Sequence, residues 1–182
     1  MDLPSHLDPD LFALLPARPR LLVLDFDGVL TDDRVYISQS GEEMVACTRG
    51  DGMGVTLLRR VDFPVVILSS EPNPVVVSRA RKLGAECVHG SHDKTEDFRV
   101  LIAARGLRAD DVVFVGNDVN DVGCLNLAGC GLVVADAKPQ ALAVADGVLS
   151  HPGGRGAVRE VAELILARLG EEFVYNPSDR RR

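Results

Sequence analysis

The sequence predicts an α/β fold, a doubly wound parallel sheet that carries a small β-hairpin insertion. Two observations lead to this prediction. Short apolar segments alternate with helical patterns along most of the 182 residues, and such alternation is typical of a parallel sheet with helices on both faces. The segment between the first two strands of the pattern, residues 31–63, has room for one hairpin and one helix but not for a second domain.

The expected strands are short apolar runs, and the first has no polar residue before its final carboxylate, as is typical of a strand buried on both faces. They are Leu21–Asp25, Pro64–Ser69, Glu86–His89, Val112–Gly116, Gly131–Ala135 and Gly147–Leu149. Helical patterns predict helices over Gly52–Val61, Pro74–Leu83, Asp93–Arg105, Asp121–Ala128, Pro139–Ala145 and Gly156–Leu169. Two further apolar segments, Val35–Ile37 and Met44–Cys47, flank a polar stretch and predict a β-hairpin within residues 32–48.

Length and composition predict a single domain over residues 1–182. With 46% apolar residues the chain can bury one good core, which we expect at about residues 20–170. Both ends, Met1–Pro19 and Tyr175–Arg182, are expected to be loose. The first is interrupted by prolines, and the second is polar and ends in three arginines.

The charge of the chain argues against a nucleic-acid or anionic-membrane partner, because the net charge is −7 and the pI about 5.1. No apolar stretch approaches the roughly 20 residues of a membrane span, and residues 1–20 show no secretory signal. The four cysteines lack Cys-x-x-Cys spacing, and Cys87 and Cys124 have apolar neighbours. Reduced thiols, and therefore a cytoplasmic protein, are expected.

The first predicted strand ends in two carboxylates, Asp25 and Asp27, and Gly28 then allows the backbone to turn. Two carboxylates this close repel one another, and burying them costs several kcal/mol unless a cation lies between them. The pair therefore indicates a divalent-metal site. An Asp-rich turn without a metal is the alternative that this motif alone leaves open.

Other polar residues follow later strands at the same edge of the predicted sheet, where ligands bind in doubly wound folds. Ser69–Glu71 follows the second strand, Gly116–Asp121 follows the fourth, and Asp93 and Lys94 precede the third helix. Taken singly, the serine and the motif after the fourth strand could be turn or capping residues, and the lysine could be solvated. Their coincidence at one edge favours a catalytic site. A lysine in the first turn of a helix also opposes the helix dipole, which favours a functional role.

Four short motifs thus occur in a fixed order, Asp25–Asp32, Ser69, Lys94 and Gly116–Asp121. In that order they resemble motifs I to IV of the haloacid dehalogenase superfamily. Residues 49–54, 93–94 and 153–160 resemble, more specifically, its small-cap sugar-acid phosphatase branch. That branch includes 3-deoxy-manno-octulosonate 8-phosphate phosphatase, nonulosonate 9-phosphate phosphatases and the C-terminal domain of acylneuraminate cytidylyltransferases. The resemblance covers about residues 21–169 and implies a Rossmann-like core with no large cap domain.

The resemblance implies a phosphatase that acts on a small-molecule sugar-acid phosphate with Mg²⁺. Asp25 would attack phosphorus and form an aspartyl-phosphate, and Asp27 would act first as general acid and then as general base. The Asp25 carboxylate, the Asp27 backbone carbonyl and oxygens of motif IV would bind the metal. Ser69 and Lys94 would hold phosphoryl oxygens in the transition state.

Motif IV departs from the family pattern, in which an acidic residue follows the glycine. Here Asn117 has that position and Asp118 follows it. Fewer anions near the ion should weaken metal binding. Either Asn117 or Asp118 is therefore expected to be the direct ligand, and Asp121 also remains open.

The expected substrate contacts are Arg49 and four residues after motif II, Ser70, Glu71, Arg79 and Lys82. In the nonulosonate 9-phosphate branch, the residues at positions 71, 79 and 82 approach the sugar acid. The octulosonate branch usually carries Arg at position 71. Nine-carbon substrates are therefore favoured over eight-carbon ones. Arg79 and Lys82 share a helical face and could meet a substrate carboxylate. A solvated basic face, or a turn residue in the case of Arg49, would explain these residues equally well.

A chain without its own cap can be closed by a neighbour, and members of this branch generally form tetramers in which one subunit's hairpin covers the next subunit's site. The resemblance therefore implies a homotetramer with Val35, Tyr36, Ile37 and Val45 at the interface. The rival hypothesis is a non-catalytic oligomerisation or regulatory domain of the acylneuraminate cytidylyltransferase type. A phospho-acceptor receiver domain is disfavoured, because its acceptor aspartate follows a later strand.

Overall fold

Six parallel strands form the central sheet of the structure, a computed structural model that describes residues 3–171. In chain order, with the two hairpin strands included, the strands are β1 (Leu21–Leu24), β2 (Thr31–Ile37), β3 (Glu43–Cys47), β4 (Val65–Leu68), β5 (Glu86–Val88), β6 (Val112–Gly116), β7 (Cys130–Val133) and β8 (Gly147–Val148). The sheet has the spatial order β5-β4-β1-β6-β7-β8, and β2 and β3 form a separate two-stranded sheet. The predicted fold class is confirmed.

The helices alternate with these strands, and two short 3₁₀ turns, Ala109–Asp111 and Val119–Asp121, lie among them. The helices are α1 (Pro9–Leu14), α2 (Arg49–Arg60), α3 (Val75–Leu83), α4 (Lys94–Ala104), α5 (Val122–Leu127), α6 (Pro139–Leu142) and α7 (Ala157–Leu169). Their ends differ from the prediction by a few residues. The largest shifts are at the end of α6, which stops at Leu142, and at the start of α2. The helix α2 begins at Arg49 because the Thr48 side chain accepts a hydrogen bond from the backbone of Asp51 and caps the first turn.

The strand β1 lies at the middle of the sheet, where Leu22 pairs with Val65 of β4 on one side and with Val113 of β6 on the other. All residues of β1, β4, β6 and β7 are buried, which explains why their sequences are continuous apolar runs. The chain adds β4 and β5 on one side of β1 and β6 to β8 on the other. The strand order therefore reverses at β1, and the carboxyl ends of β1, β4 and β6 share one edge.

The N-terminal segment corrects one prediction, since it is not loose over the described residues. Asp8 caps α1 by accepting hydrogen bonds from the backbone N–H groups of Asp10 and Leu11, and Pro9 begins the helix. The leucines at positions 7, 11 and 15 are spaced by four and are all buried in the core. The prolines that suggested a loose segment stand at the helix start and beyond its end. The other segment predicted to be loose, Tyr175–Arg182, lies outside the described residues.

The predicted hairpin is present and exposes apolar side chains. Val35 pairs with Val45 and Tyr36 with Met44 across its strands. Ile37 is 69% exposed and Met44 59% exposed. Val45, which we expected at an interface, is instead half-buried and packs against the core. It lies on the face opposite Met44, because neighbouring strand residues point to opposite sides.

No helix within residues 3–171 is long and apolar enough to cross a membrane. All four cysteines are free thiols, as expected. Burial raises the pKa of Cys124 and of Cys130 to about 12, so these two thiols stay protonated and are poor nucleophiles at neutral pH.

Candidate active site

A cavity of about 260 Å³ opens where β1, β4 and β6 end, at the point where the strand order reverses. Its walls contain the predicted residues Asp25, Asp27, Ser69, Ser70, Glu71, Asn117 and Asp118. They also contain Asp33, which follows motif I, and Asn120, a residue of motif IV that was assigned no role. Most of these side chains are carboxylic acids, so the cavity attracts cations.

Lys94 joins two buried carboxylates at the base of the site. It is the first residue of α4, which Asp93 caps by accepting a hydrogen bond from the backbone of Glu96 at 3.0 Å. The Lys94 Nζ donates to Asp25 Oδ1 at 2.7 Å and to Asp121 Oδ1 at 2.8 Å. The ammonium group is therefore paired on two sides, which compensates for its removal from water.

Asp121 is a support for this arrangement and does not border the cavity. It is fully buried, and its Oδ2 accepts hydrogen bonds from the backbone N–H groups of Asn117 at 2.8 Å and Asp118 at 3.2 Å. Because its Oδ1 already accepts from Lys94, both oxygens of Asp121 are engaged. Among the three candidate ligands after β6, Asp121 is therefore the least available to a metal ion.

Burial and nearby charge shift the ionisation of this cluster. Burial, reinforced by the negative charge of Asp121 and opposed by Lys94, raises the pKa of Asp25 to about 7. Burial alone would lower the pKa of Lys94, but the carboxylates of Asp25 and Asp121 outweigh it and raise that pKa above its ordinary value. The lysine therefore stays charged, whereas Asp25 holds a proton for part of the time at neutral pH unless a cation replaces it.

Asp27 has a different environment, half-buried at the wall of the cavity. Burial, together with the nearby charge of Glu71, raises the pKa of Asp27. The Thr31 hydroxyl donates to Asp27 Oδ1 at 3.4 Å, and the same Thr31 oxygen accepts from the backbone of Gly28 at 3.1 Å. Thr31 thus links the carboxyl group to the turn that carries it. A carboxyl group with a raised pKa that borders a cavity is suited to give and take protons.

The Asn117 side chain points to the same place as Asp25 and the backbone of Asp27. One terminal atom of its amide lies 3.0 Å from the Asp27 carbonyl oxygen and 3.1 Å from Asp25 Oδ2. Neighbouring ligands of an octahedral Mg²⁺, each at about 2.0–2.1 Å from the ion, lie about 3.0 Å apart, whereas those of Ca²⁺ lie roughly 3.3–3.7 Å apart. With the amide oxygen in this position, its distances to the other two oxygens are those of adjacent Mg²⁺ ligands.

The donor set also fits a hard cation in its chemistry, since it consists of one carboxylate, one amide oxygen and one backbone carbonyl. Within residues 3–171, no three His, Cys, Asp or Glu side chains come together as a metal-binding cluster. Asp118, the other predicted ligand, borders the cavity, but its Oδ1 accepts a hydrogen bond from the backbone of Val119 at 2.6 Å. The geometry therefore favours Asn117 over Asp118 as the ligand from the loop after β6.

Gly28 is required for Asn117 to reach this position. It has a φ of 78°, a left-handed conformation that side chains disfavour. A Cβ atom on Gly28 would lie 2.0 Å from the Asn117 amide. The glycine of motif I therefore makes space for the amide of motif IV.

Comparisons with known proteins identify the family of this chain. The family model of haloacid dehalogenase-like hydrolases matches residues 67–160. The 3-deoxy-D-manno-octulosonate 8-phosphate phosphatase KdsC of Escherichia coli is 36% identical over 153 residues, which are 84% of this chain and 81% of that protein. The chain belongs to the haloacid dehalogenase-like hydrolases.

Two further relatives bear on the metal and on the rival hypothesis. A structure of 3-deoxy-D-manno-octulosonate 8-phosphate phosphatase from Moraxella catarrhalis, in complex with magnesium ion, phosphate ion and KDO, is 29% identical to this hydrolase. It superposes with a TM-score of 0.82 over 87% of this chain and 91% of that chain. The N-acylneuraminate cytidylyltransferase A of Danio rerio is 35% identical over 153 residues, 83% of this chain but only 36% of that protein.

The basic residues predicted as substrate contacts lie beside a second cavity in this hydrolase. Arg49, Arg79 and Lys82 border a space of about 430 Å³ between α2 and α3, and none of them borders the cavity of Asp25. Arg79 Nη2 donates to the backbone oxygen of Thr48 at 2.9 Å. Of the predicted substrate contacts, only Ser70 and Glu71 line the cavity that contains the carboxylates.

Thr31 and Asp33 are the residues near the site of this hydrolase that the motifs did not single out. Asp33 adopts a φ of 62°, unusual for a residue other than glycine, and its backbone N–H donates to Thr31 Oγ1 at 3.3 Å. Its carboxylate also accepts from Lys138 at 3.2 Å at the exposed rim. Thr31 lies four residues after Asp27, a spacing that could have indicated it. The path of the hairpin, which brings Asp33 back to the cavity, could not be predicted.

Proposed function

We propose that this hydrolase is a magnesium-dependent phosphatase that hydrolyses a sugar-acid phosphate through an aspartyl-phosphate on Asp25. The observation that carries the proposal is the position of Asp25. Lys94 holds one of its oxygens, and the other lies beside Asn117 and the Asp27 carbonyl at a cavity that opens to solvent. A carboxylate held in a fixed position at the opening of a cavity is suited to nucleophilic attack on a bound phosphate.

In the first half-reaction a carboxylate oxygen of Asp25 bonds to phosphorus, and the bond between phosphorus and the sugar oxygen breaks. The Asp27 carboxyl group gives its proton to that oxygen, so the sugar leaves as an alcohol. In the second half-reaction Asp27 takes a proton from water, and the water oxygen attacks phosphorus. Inorganic phosphate leaves, Asp25 is regenerated as a carboxylate, and Asp27 is protonated again. The raised pKa of Asp27 favours its role as the proton donor in the first half-reaction.

The Mg²⁺ ion would be held by Asp25 Oδ2, the Asp27 carbonyl oxygen and Asn117 Oδ1, and when bound it supplies positive charge that offsets repulsion between the phosphate dianion and the carboxylates. The protein supplies further donors. Lys94 uses two of its three N–H groups on Asp25 and Asp121, so the third can donate to a phosphoryl oxygen. The Ser69 oxygen accepts from the backbone of Glu71 at 3.1 Å, which leaves its hydroxyl proton for the same purpose.

The substrate class follows from the relatives and from the polar surroundings of the site. The similar enzymes that carry a substrate in their names act on 3-deoxy-D-manno-octulosonate 8-phosphate, whereas Glu71 favours a nonulosonate 9-phosphate. Arg49, Arg79 and Lys82 supply positive charge in the second cavity. The Arg79 Nε is buried and has no hydrogen-bond partner within residues 3–171, so a carboxylate there would satisfy it.

The experiment that tests the proposal is a phosphate-release screen across sugar-acid phosphates and an aryl phosphate, with and without Mg²⁺. We expect release that depends on the metal and falls by roughly a thousandfold or more in Asp25→Asn. The matched control is Asp33→Asn, which removes a carboxylate from the same cavity without touching the nucleophile. Full turnover in Asp25→Asn would contradict the mechanism.

One observation favours a second function. The chain is similar to a segment that makes up 36% of a cytidylyltransferase. In that case the chain would serve as an oligomerisation or regulatory domain. A folded wild-type chain that releases no phosphate from any ester in the screen would support this function over catalysis.

A further inference from the structure

Asn117 presents a neutral amide where the metal site requires an oxygen. The terminal atom that faces Asp25 and Asp27 lies 3.0 Å from the Asp27 carbonyl oxygen and 3.1 Å from Asp25 Oδ2, and both of these oxygens are acceptors when Asp25 is ionised. An amide oxygen in that position would face two other oxygens with no proton between them. An amide nitrogen in the same position has two protons and can donate one to each oxygen.

We infer that the Asn117 amide is a two-position switch: without a cation its nitrogen donates to Asp25 Oδ2 and to the Asp27 carbonyl, and the amide turns over to present its oxygen when the cation binds. The inference rests on the metal site of the proposed function but not on the identity of the substrate. Asn117 is then a positioning residue in one state and a ligand in the other.

The switch explains how the site stays assembled without a metal. In the metal-free state Asp25 is held at both oxygens, by Lys94 at 2.7 Å and by the Asn117 amide at 3.1 Å. A carboxylate at position 117 would place a second anion 3.1 Å from an ionised Asp25, so without a cation one of the two groups would have to take up a proton. The asparagine therefore stabilises the empty site, and the cation has to displace two hydrogen bonds to enter.

The backbone around Asn117 is fixed well enough for the side chain to turn in place. Its N–H donates to Asp121 Oδ2 at 2.8 Å, and its carbonyl oxygen accepts from the backbone of Lys138 at 2.7 Å. Gly28, which has no side chain, faces the amide. A half-turn of the amide exchanges two atoms of similar size and needs no movement of the chain.

The first test compares Asn117→Asp with Asn120→Asp, which adds the same charge at the wall of the same cavity. The Asn120 amide makes only a 3.5 Å contact with Ser70 Oγ, so it is the matched control. At pH 8 in EDTA, Asn117→Asp should melt about 2–4 °C or more below the wild type, and Asn120→Asp should not. By calorimetric titration with MgCl₂ alone, Asn117→Asp should bind about tenfold or more tightly than the wild type. Equal melting temperatures for Asn117→Asp and the wild type, or equal losses in both variants, would overturn the inference.

The second test observes the amide itself in the full-length ¹⁵N-labelled protein. The side-chain NH₂ signals of Asn117 are identified by their absence from Asn117→Asp. We expect both protons to exchange slowly with water in EDTA and about tenfold or more quickly when MgCl₂ is saturating, because they then lose both acceptors. Unprotected protons in EDTA, or signals that do not respond to MgCl₂, would overturn the inference.

Phosphate release by the wild type, measured in parallel, separates this inference from the proposed function. If the wild type hydrolyses a sugar-acid phosphate but the amide signals do not respond to MgCl₂, the switch is wrong and the proposed function stands. If the signals respond but no phosphate ester is hydrolysed, the switch stands and the proposed function is wrong.

Discussion

Asp25 is surrounded by charges of both signs, and their balance determines the pH range in which its side chain is ionised. Burial and Asp121 raise its pKa, Lys94 lowers it, and the result is a pKa of about 7. A protonated carboxyl group is neither a good ligand for a hard cation nor a nucleophile. Protons and Mg²⁺ therefore compete for this side chain in the proposed mechanism.

This competition predicts that Mg²⁺ affinity rises with pH up to about 7 and then levels off. Below that pH the affinity should fall by up to about tenfold per pH unit. The effect of pH on the stability of the metal-free protein has the opposite sign. Because the pKa of Asp25 lies above its ordinary value of 3.8, the metal-free native state binds more protons than the unfolded state between pH 3.8 and about 7. This group alone therefore lowers the free energy of unfolding as pH rises through that window.

Titration calorimetry and thermal melting in EDTA, both from pH 5 to 8, check these two trends. The control is Asp25→Asn, in which the contribution of this group to both should disappear. A wild-type affinity that does not change across this range would show that Asp25 does not exchange a proton for the metal.

At the residue scale, the motifs predicted which side chains would meet, because strand ends in a parallel sheet share one edge. Asp25, Asp27 and Ser69 line one cavity for that reason. The sequence could not predict which side chain after β6 would face the metal position, since Asn117 and Asp121 are separated by one 3₁₀ turn and point in different directions. Which of the two faces the metal position depends on Lys94, which is distant in the sequence and donates a hydrogen bond to Asp121.

At the element scale, α2 and α7 are joined by a buried carboxylate that supports the active-site loop. Asp51 of α2 accepts hydrogen bonds from the backbone N–H groups of Gly156 at 3.2 Å and Arg159 at 3.0 Å, at the start of α7. The glycine turn before α7 in turn touches motif I, where Gly154 N–H donates to the Val29 carbonyl at 2.9 Å. Asp51 thus replaces the side-chain cap that Gly156 cannot provide.

This arrangement predicts that Asp51→Asn lowers the free energy of unfolding by about 1–3 kcal/mol, because an amide NH₂ group would face backbone donors in a buried position. Urea denaturation measures the change. The matched control is Asp62→Asn, at an exposed position with a φ of 55° that asparagine tolerates. Equal stabilities of Asp51→Asn and the wild type would show that the carboxylate does not hold the two helices together.

The element that the sequence did not predict is α1. Leu7, Leu11 and Leu15 follow a helical spacing, but only Leu11 lies within the six residues of the helix, and prolines lie on either side. So short a helix is not stable alone and forms because Leu11 and the two leucines that flank the helix pack on the core. The long alternating pattern between β1 and α7 was predictable, because burial on both faces leaves a strong apolar signature in each strand.

At the scale of the whole molecule, the exposed apolar side chains of the hairpin are the feature that a single chain does not explain. Val35 and Ile37 on one face of the hairpin, and Tyr36 and Met44 on the other, are each at least half exposed and close together on β2 and β3. Exposed apolar clusters of this kind mark interfaces. We propose a homotetramer in which the hairpin of one subunit closes the cavity of the next.

This proposal predicts that light scattering reports about four chains per particle at micromolar concentration. Ile37→Asp should dissociate the particle and lower phosphate release together, because the charge would be buried at the interface. Val100→Asp is the matched control, since Val100 is also more than half exposed but lies on α4. A fully active Ile37→Asp monomer would show that the cavity needs no neighbour.

The acidic wall of the cavity has a consequence for the order of encounters in solution. Asp25, Asp27, Asp33, Glu71 and Asp118 together produce a negative potential that extends about one Debye length, roughly 8 Å at physiological ionic strength, beyond the opening. Phosphorylated sugar acids approach this field as polyanions and are repelled, whereas divalent cations are drawn in. We therefore expect ordered association, in which the cation enters first and its charge weakens the repulsive field that the substrate meets.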